Sequence, residues 1–329
     1  MSSSSMAQAA EVYAPITDGM TASEAVLAEV FDSDSEAIAD LCRHLNTFGG
    51  KRLRPALVHL CAGLVGKSNH EHAEVGAIIE TLHICSLLHD DVLDEADTRR
   101  KVPTINALHG NEVPILLGDL LYSRAFTRML ALSTLDAARD LAVSTEAVCR
   151  GEIEQSFFRL ATDLDEERYF RVIRDKTASL YASACRLGAL YAGATRETAE
   201  DLARFGFDLG IAFQIIDDCL DVVGDERIVG KSLGTDLETG KITLPIIRLA
   251  RTLTGADRER FLELLHGDVE GSRREALCAS FDLESVVHEC QQEANGFIER
   301  CLATLEPFDD GAEKQSLQAI CGFVLSRDY

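Results

Sequence analysis

Tryptophan is absent from this 329-residue chain and proline is scarce: there are six, none of them between Pro114 and Pro245. A stretch of that length without proline, rich in Ala, Leu, Ile and Glu, can carry long helices, because nothing in it removes a backbone donor or blocks a turn. Positive charge is in deficit, with 32 Lys and Arg against 55 Asp and Glu and a net charge of −23. That deficit argues against nucleic acid as a partner, since phosphate backbones are gripped by a surplus of cations. No apolar run approaches the roughly 18 residues needed to cross a bilayer, so no integral membrane segment is expected. Met1 to Thr17 is Ser- and Ala-rich, with neither the basic start nor the apolar centre of a secretory leader. The ten cysteines form no Cys-x-x-Cys pair, and Cys61, Cys85, Cys185 and Cys321 lie in apolar contexts. They read as reduced, buried thiols of a cytoplasmic protein, not as a disulfide frame or a zinc site.

What the chain does have is helical periodicity. Residues 1–20 read as a flexible lead-in, and from Ala22 apolar residues recur at helical spacing (Ala25, Val26, Val30, Ile38, Leu41, Leu45). Phe48-Gly49-Gly50 breaks the pattern and Pro55 restarts it in a position suited to a first helical turn. A long buried helix is expected over Val75 to Leu93, followed by a loop from Thr98 to Asn111. Further helices are expected over Pro114 to Leu132, Leu135 to Phe158, Glu166 to Ala192, Glu197 to Val222 and Lys241 to Thr252. Gly224 to Gly240 reads as an ordered loop, and Gly267 to Arg274 as a polar break. With no repeat and no alternating runs, residues 21–329 read as one all-α domain.

Two aspartate clusters carry chemistry. Asp90, Asp91 and Asp94 sit at i, i+1 and i+4, and Asp217, Asp218 and Asp221 repeat that spacing 127 residues later. On a helix the first and last of each trio share a face. Each trio ends a dense apolar run, where three carboxylates repel one another unless a cation intervenes. Hard oxygen ligands suit Mg²⁺ shared with substrate phosphates. Aspartates also cluster by chance on solvated faces. Two matching copies, both closing apolar runs, favour metal binding.

Cations complement them. Gly49-Gly50-Lys51-Arg52-Leu53-Arg54-Pro55 sets three basic residues beside two glycines at a helix start, a natural anion site, although a solvated basic turn reads the same way. His83 lies two turns before Asp90 on the same face; alone it reads as a satisfied core histidine. Arg99 and Arg100 follow the first trio as solvated residues or as phosphate clamps. Gln214, one turn before Asp218, is polar within an apolar run and needs a partner, because burying an unpaired amide is costly.

Together these residues resemble the trans-isoprenyl diphosphate synthases, the polyprenyl synthetases. The resemblance rests on Leu88-His89-Asp90-Asp91-Val92-Leu93-Asp94 with Arg99-Arg100, and on Gln214-Ile215-Ile216-Asp217-Asp218-Cys219-Leu220-Asp221. Gly230-Lys231, Gly240-Lys241-Ile242-Thr243-Leu244-Pro245, Gly118-Asp119-Leu120-Leu121 and Lys176-Thr177-Ala178 follow in family order, and the likeness runs from about Ser23 to Tyr329. It implies an all-α bundle around a central cavity, with the aspartate motifs on facing helices. It implies Mg²⁺-dependent condensation of isopentenyl diphosphate with an allylic diphosphate, and a homodimer. Asp90, Asp91, Asp94, Asp217, Asp218 and Asp221 then form the metal set. Arg99, Lys176, Thr177, Gln214, Lys231 and Lys241 contact the allylic diphosphate, and Lys51, Arg54, His83 and Arg100 bind isopentenyl diphosphate.

Leu82, Cys85 and Ser86 precede the first trio, where the resemblance places the pocket for the growing tail. In the family, short-chain members tend to carry bulky aromatics there, or an insertion within the first aspartate motif. Cys85 and Ser86 are small, which implies a product of thirty carbons or more. A terpene cyclase would replace the second trio with an Asn/Ser/Glu triad, and a non-catalytic subunit of a two-part synthase would lose one or both trios. This chain keeps both.

Overall fold

A computed structural model describes residues 12–159, 164–224, 233–267 and 269–326. A 3₁₀ turn at Ala14–Ile16 leads into α1 (Thr17–Phe31), α2 (Glu36–Thr47), α3 (Leu53–Val65) and α4 (His70–Leu93). A minimal hairpin, β1 (Thr98–Arg99) with β2 (Val102–Pro103), precedes α5 (Ile105–His109), α6 (Glu112–Ala131) and α7 (Asp136–Phe157). After α8 (Glu166–Ile173) comes a π-helical segment, Arg174–Ala178, and then α9 (Ser179–Tyr191) and α10 (Arg196–Val223). The remaining elements are α11 (Thr235–Glu238), α12 (Leu244–Thr252), α13 (Gly255–His266), α14 (Arg273–Ser280), α15 (Leu283–Leu305) and α16 (Ala312–Leu325). The fold is all-α, as the periodicity predicts.

The packing divides the chain into two compact units. The first comprises Met1–Thr145, Leu180–Gly206 and Thr304–Ala319; the second comprises Glu146–Ser179, Phe207–Ala303 and Ile320–Tyr329. Every boundary falls inside a helix rather than in a Gly- or Pro-rich linker, so composition along the chain carries no sign of it.

In the first unit α4 is the central element and packs against α1, α3 and α6. It begins five residues before the expected Val75, because Asn69 and His72 form a capping box over its first turn. Most of its residues from His72 to Leu82 are buried, as befits a helix apolar on all sides. Gly188 on α9 lets that helix lie against α3, since a Cβ there would stand 2.3 Å from the Val58 carbonyl oxygen.

Three local expectations are corrected. The segment read as a flexible lead-in over residues 1–20 is regular where it is described: Ala14–Ile16 and α1 are helical and Ile16 is buried, while residues 1–11 lie outside the described set. Thr98 to Asn111 is not a plain loop. Its hairpin turns on Arg100 (φ 51°) and Lys101 (φ 67°), two left-handed residues in succession, which matches the right-handed twist of the strands. A two-residue ladder is too short to leave an alternating pattern in the sequence. In the second unit, the helix expected from Glu166 to Ala192 is interrupted by the π-helical Arg174–Ala178.

Candidate functional site

In the first unit the aspartates close α4, with Asp94 as the C-cap residue. Carboxylates at a helix C-terminus oppose the negative end of the dipole, an arrangement that calls for a cation. Asp91 already has one: Arg99 donates from Nε (2.9 Å) and Nη2 (2.7 Å) to its Oδ1. Burial still pushes the Asp91 carboxyl above its ordinary range, Arg99 pulls it back, and Asp90 and Asp94 raise it again.

The glycine-rich basic loop of the same unit is held from several sides. Arg52, left-handed at φ 48°, donates to Glu24 (2.7 Å) and to the buried Glu80 (2.9 Å). Arg100 donates to the carbonyls of Phe48 (2.9 Å) and Gly49, and the Tyr13 hydroxyl donates to the Lys51 carbonyl at 2.7 Å. Arg54 lies over the Tyr181 ring, 4.6 Å from its centroid, and its buried Nε has no hydrogen-bond partner. Burial and the guanidiniums of Arg54, Arg99, Arg100 and Arg52 push the His83 imidazole well below its usual range. A neutral imidazole among four guanidiniums, one with an unsatisfied N–H, is a receptor for a strong oxyanion. Among the described residues the non-glycine residues with positive φ are Arg52, Glu95, Arg100 and Lys101, all beside these groups. Such backbone strain gathers at functional sites.

In the second unit a chain of hydrogen bonds organises the other trio. Thr177 Oγ1 donates to Gln214 Oε1 (2.9 Å), Gln214 Nε2 donates to Asp218 Oδ1 (2.8 Å), and the Tyr169 hydroxyl donates to Asp218 Oδ2 (2.7 Å). The partner that Gln214 requires is thus found on both ends of its amide. Burial and the nearby Asp236 and Asp217 drive the Asp218 carboxyl well above its ordinary range, against the lowering effect of Tyr169 and Gln214. Asp221 takes a structural part: it accepts from Thr235 Oγ1 (3.3 Å) and from the Asp236 backbone N–H (3.1 Å), so that it ties down α11.

Lys176 Nζ meets Gln155 Oε1 at 3.0 Å and pairs with Glu152. Its π-helical setting is a device common at functional positions, and Gly151 permits it, since a Cβ there would stand 2.9 Å from the Lys176 nitrogen. Asp217, Asp218, Asp236, Lys176 and Lys241 line one cavity of about 160 Å³. Lys241 Nζ stands 3.8 Å from Asp236 Oδ1.

Among the described residues, no three His, Cys, Asp or Glu side chains converge into a ready-made metal cage. The donors nevertheless fit Mg²⁺. They are all oxygen, each trio lies toward the C-terminal end of its helix, and Mg²⁺ takes only one or two carboxylates, completing its shell with water and phosphate. Lys231 lies outside the described residues. Arg99 is engaged with Asp91. Of the tail-pocket residues, Leu82 and Cys85 are buried and Cys85 belongs to the apolar core shared with α1, α2 and α6. Ser86 is partly buried and donates to the His83 carbonyl at 2.8 Å. Tyr169, Glu80 and Asp236 escaped the sequence reading. Tyr169 had a weak signal, a hydroxyl on the stripe it shares with Val172 and Ile173, two turns before Lys176.

Comparison with known proteins agrees with this geometry. A polyprenyl synthetase family profile matches residues 35–279. The chain is 34% identical over 316 residues to the octaprenyl diphosphate synthase of Escherichia coli, covering 94% of this chain and 96% of the relative. Its fold superposes on a decaprenyl diphosphate synthase from Rhodobacter capsulatus with a TM-score of 0.91 at 31% identity, over 98% of this chain and 99% of the other. A polyprenyl synthase from Caulobacter crescentus, solved with calcium and isoprenyl diphosphate, superposes at 0.89 with 30% identity, over 98% of both chains. With the profile covering most of the chain and the relatives nearly all of it, the protein belongs to the polyprenyl synthetase family.

Proposed function

We propose that the chain is a Mg²⁺-dependent prenyltransferase that joins isopentenyl diphosphate head to tail (1′–4) onto an allylic diphosphate, giving trans-polyprenyl diphosphates longer than fifteen carbons. The observation that carries this reading is the cavity of the second unit, where Asp217, Asp218 and Asp236 stand with Lys176 and Lys241. Acid and base together in one pocket suit a ligand that brings both cations and anionic oxygens.

Asp90 and Asp94 of the first unit and Asp217 and Asp218 of the second would each bind metal, and Asp221 would secure α11. When bound, Mg²⁺ would neutralise charge on the diphosphate as the allylic C–O bond breaks. Lys176 and Lys241 stabilise the same developing charge, preorganised by Gln155 and Asp236. Gln214, fixed by Thr177, keeps its NH₂ group toward Asp218. Lys51, Arg54, Arg100 and neutral His83 bind isopentenyl diphosphate and leave its double bond to attack the allylic carbon. Loss of one proton, with the released diphosphate as acceptor, completes the cycle. Ser86 lines the path of the tail toward Leu82, and its small side chain admits long products.

The chain acts as a cytoplasmic homodimer. No helix among the described residues is long and apolar enough to cross a membrane, and all ten cysteines are free thiols. Leu116, Phe126 and Leu130 of α6 are exposed by 67%, 45% and 53%, apolar area that a second copy would cover. Incubation of the purified chain with Mg²⁺, isopentenyl diphosphate and geranyl diphosphate tests the activity: elongated diphosphates support it. Turnover only after a second polypeptide is added favours a partner-dependent subunit.

A further inference from the structure

We propose that Tyr169 is a positioning residue for Asp218, a carboxylate of the proposed metal set, holding it oriented toward a divalent cation. The inference rests on the proposed function and deepens it. Asp218 is 3% exposed, and the acidic groups Asp217 and Asp236 lie close by. A buried carboxylate in such company needs compensation. Asp91 and Asp218 solve this differently. Asp91 receives a guanidinium, Arg99. Asp218 receives hydrogen bonds from neutral donors, one on each oxygen: Tyr169 on Oδ2 at 2.7 Å and Gln214 on Oδ1 at 2.8 Å.

Neutral donors orient a carboxylate without cancelling its charge, and each oxygen keeps a further lone pair. Thr177 fixes which end of the Gln214 amide faces Asp218. Tyr169 is itself buried, 6% exposed, and packs edge-on against Phe170 with ring centroids 5.4 Å apart, so its hydroxyl has little freedom to leave. Asp91 is therefore paired with a cation within the protein, whereas Asp218 is aligned by neutral donors alone. Outer partners of this kind typically govern metal affinity by about 10- to 100-fold.

The test uses Mn²⁺ as a spectroscopic probe, with inorganic diphosphate, on the full chain. Free Mn²⁺ is read by electron paramagnetic resonance. Tyr169→Phe, which keeps the ring, is expected to weaken Mn²⁺ binding roughly tenfold or more, and Gln214→Leu to act in the same direction through the other oxygen. Asp218→Asn is expected to weaken it further, and Tyr169→Phe added to Asp218→Asn to change nothing more, because Tyr169 acts through that carboxylate. Unchanged Mn²⁺ affinity in Tyr169→Phe, or losses that simply add in the double variant, overturns the positioning role alone. Absence of diphosphate-dependent Mn²⁺ uptake in the wild type overturns the enzymatic reading and this inference with it.

Discussion

Arg99 donates two hydrogen bonds, from Nε at 2.9 Å and Nη2 at 2.7 Å, to a single oxygen of Asp91. Asp91 is buried at the end of α4 and Arg99 lies on β1, so the pair ties the hairpin to the helix that carries the first trio. Asp91 thus has a structural task, while its neighbour Asp90 is proposed for the metal.

Asp91→Ala is expected to cost about 2 kcal/mol of stability, less than a fully buried pair because Arg99 remains partly exposed. Asp90→Asn is expected to leave stability within about 0.5 kcal/mol and to lower turnover about 100-fold or more. Urea unfolding and steady-state kinetics on both variants check the division. Equal stability losses contradict it.

Gly151→Ala places a Cβ 2.9 Å from the Lys176 nitrogen and 3.1 Å from Asp175 Cβ. The π-helical segment has to shift, and Lys176 moves with it. The KM for the allylic diphosphate is expected to rise roughly tenfold, while that for isopentenyl diphosphate stays within about twofold, since its proposed ligands lie on other elements. An equal rise in both shows that the damage is general.

Burial holds His59 at a pKa of about 4, with His72 pushing the same way; its ring lies between the Ser23 and Ser68 hydroxyls at 2.9 and 2.7 Å. An unfolded histidine takes up a proton near pH 6.5, so between 6.5 and 4 protons favour the unfolded chain. Stability from this group is complete above that window and falls through it by about 3 kcal/mol. Urea midpoints at pH 7 and pH 4.5 should differ more in the wild type than in His59→Gln. Identical shifts in the two proteins contradict the assignment.

Ser86→Phe puts a ring one helical turn before Asp90, on the path proposed for the tail. The product is expected to shorten by at least one five-carbon unit, read by mass spectrometry of the dephosphorylated alcohols. An unchanged length places the tail elsewhere.

The helices and both aspartate trios were legible because each is a local pattern: apolar spacing sets a helix, and i, i+1, i+4 sets a face. Gln214 was legible for a related reason, as a polar residue where an unpaired amide is costly. Tyr169 and Glu80 were not, since their partners lie 49 and 28 residues away and no spacing rule links them. The left-handed turn at Arg100 and Lys101 was hidden because its residues are neither Gly nor Asn.

Condensation by this chain alone is tested with purified protein, radiolabelled isopentenyl diphosphate, geranyl diphosphate and Mg²⁺, with products resolved by mass. A ladder of trans-prenyl diphosphates running past fifteen carbons, and lost when EDTA removes the metal, is expected. An absence of elongated product, or a ladder that ends at farnesyl diphosphate, contradicts it.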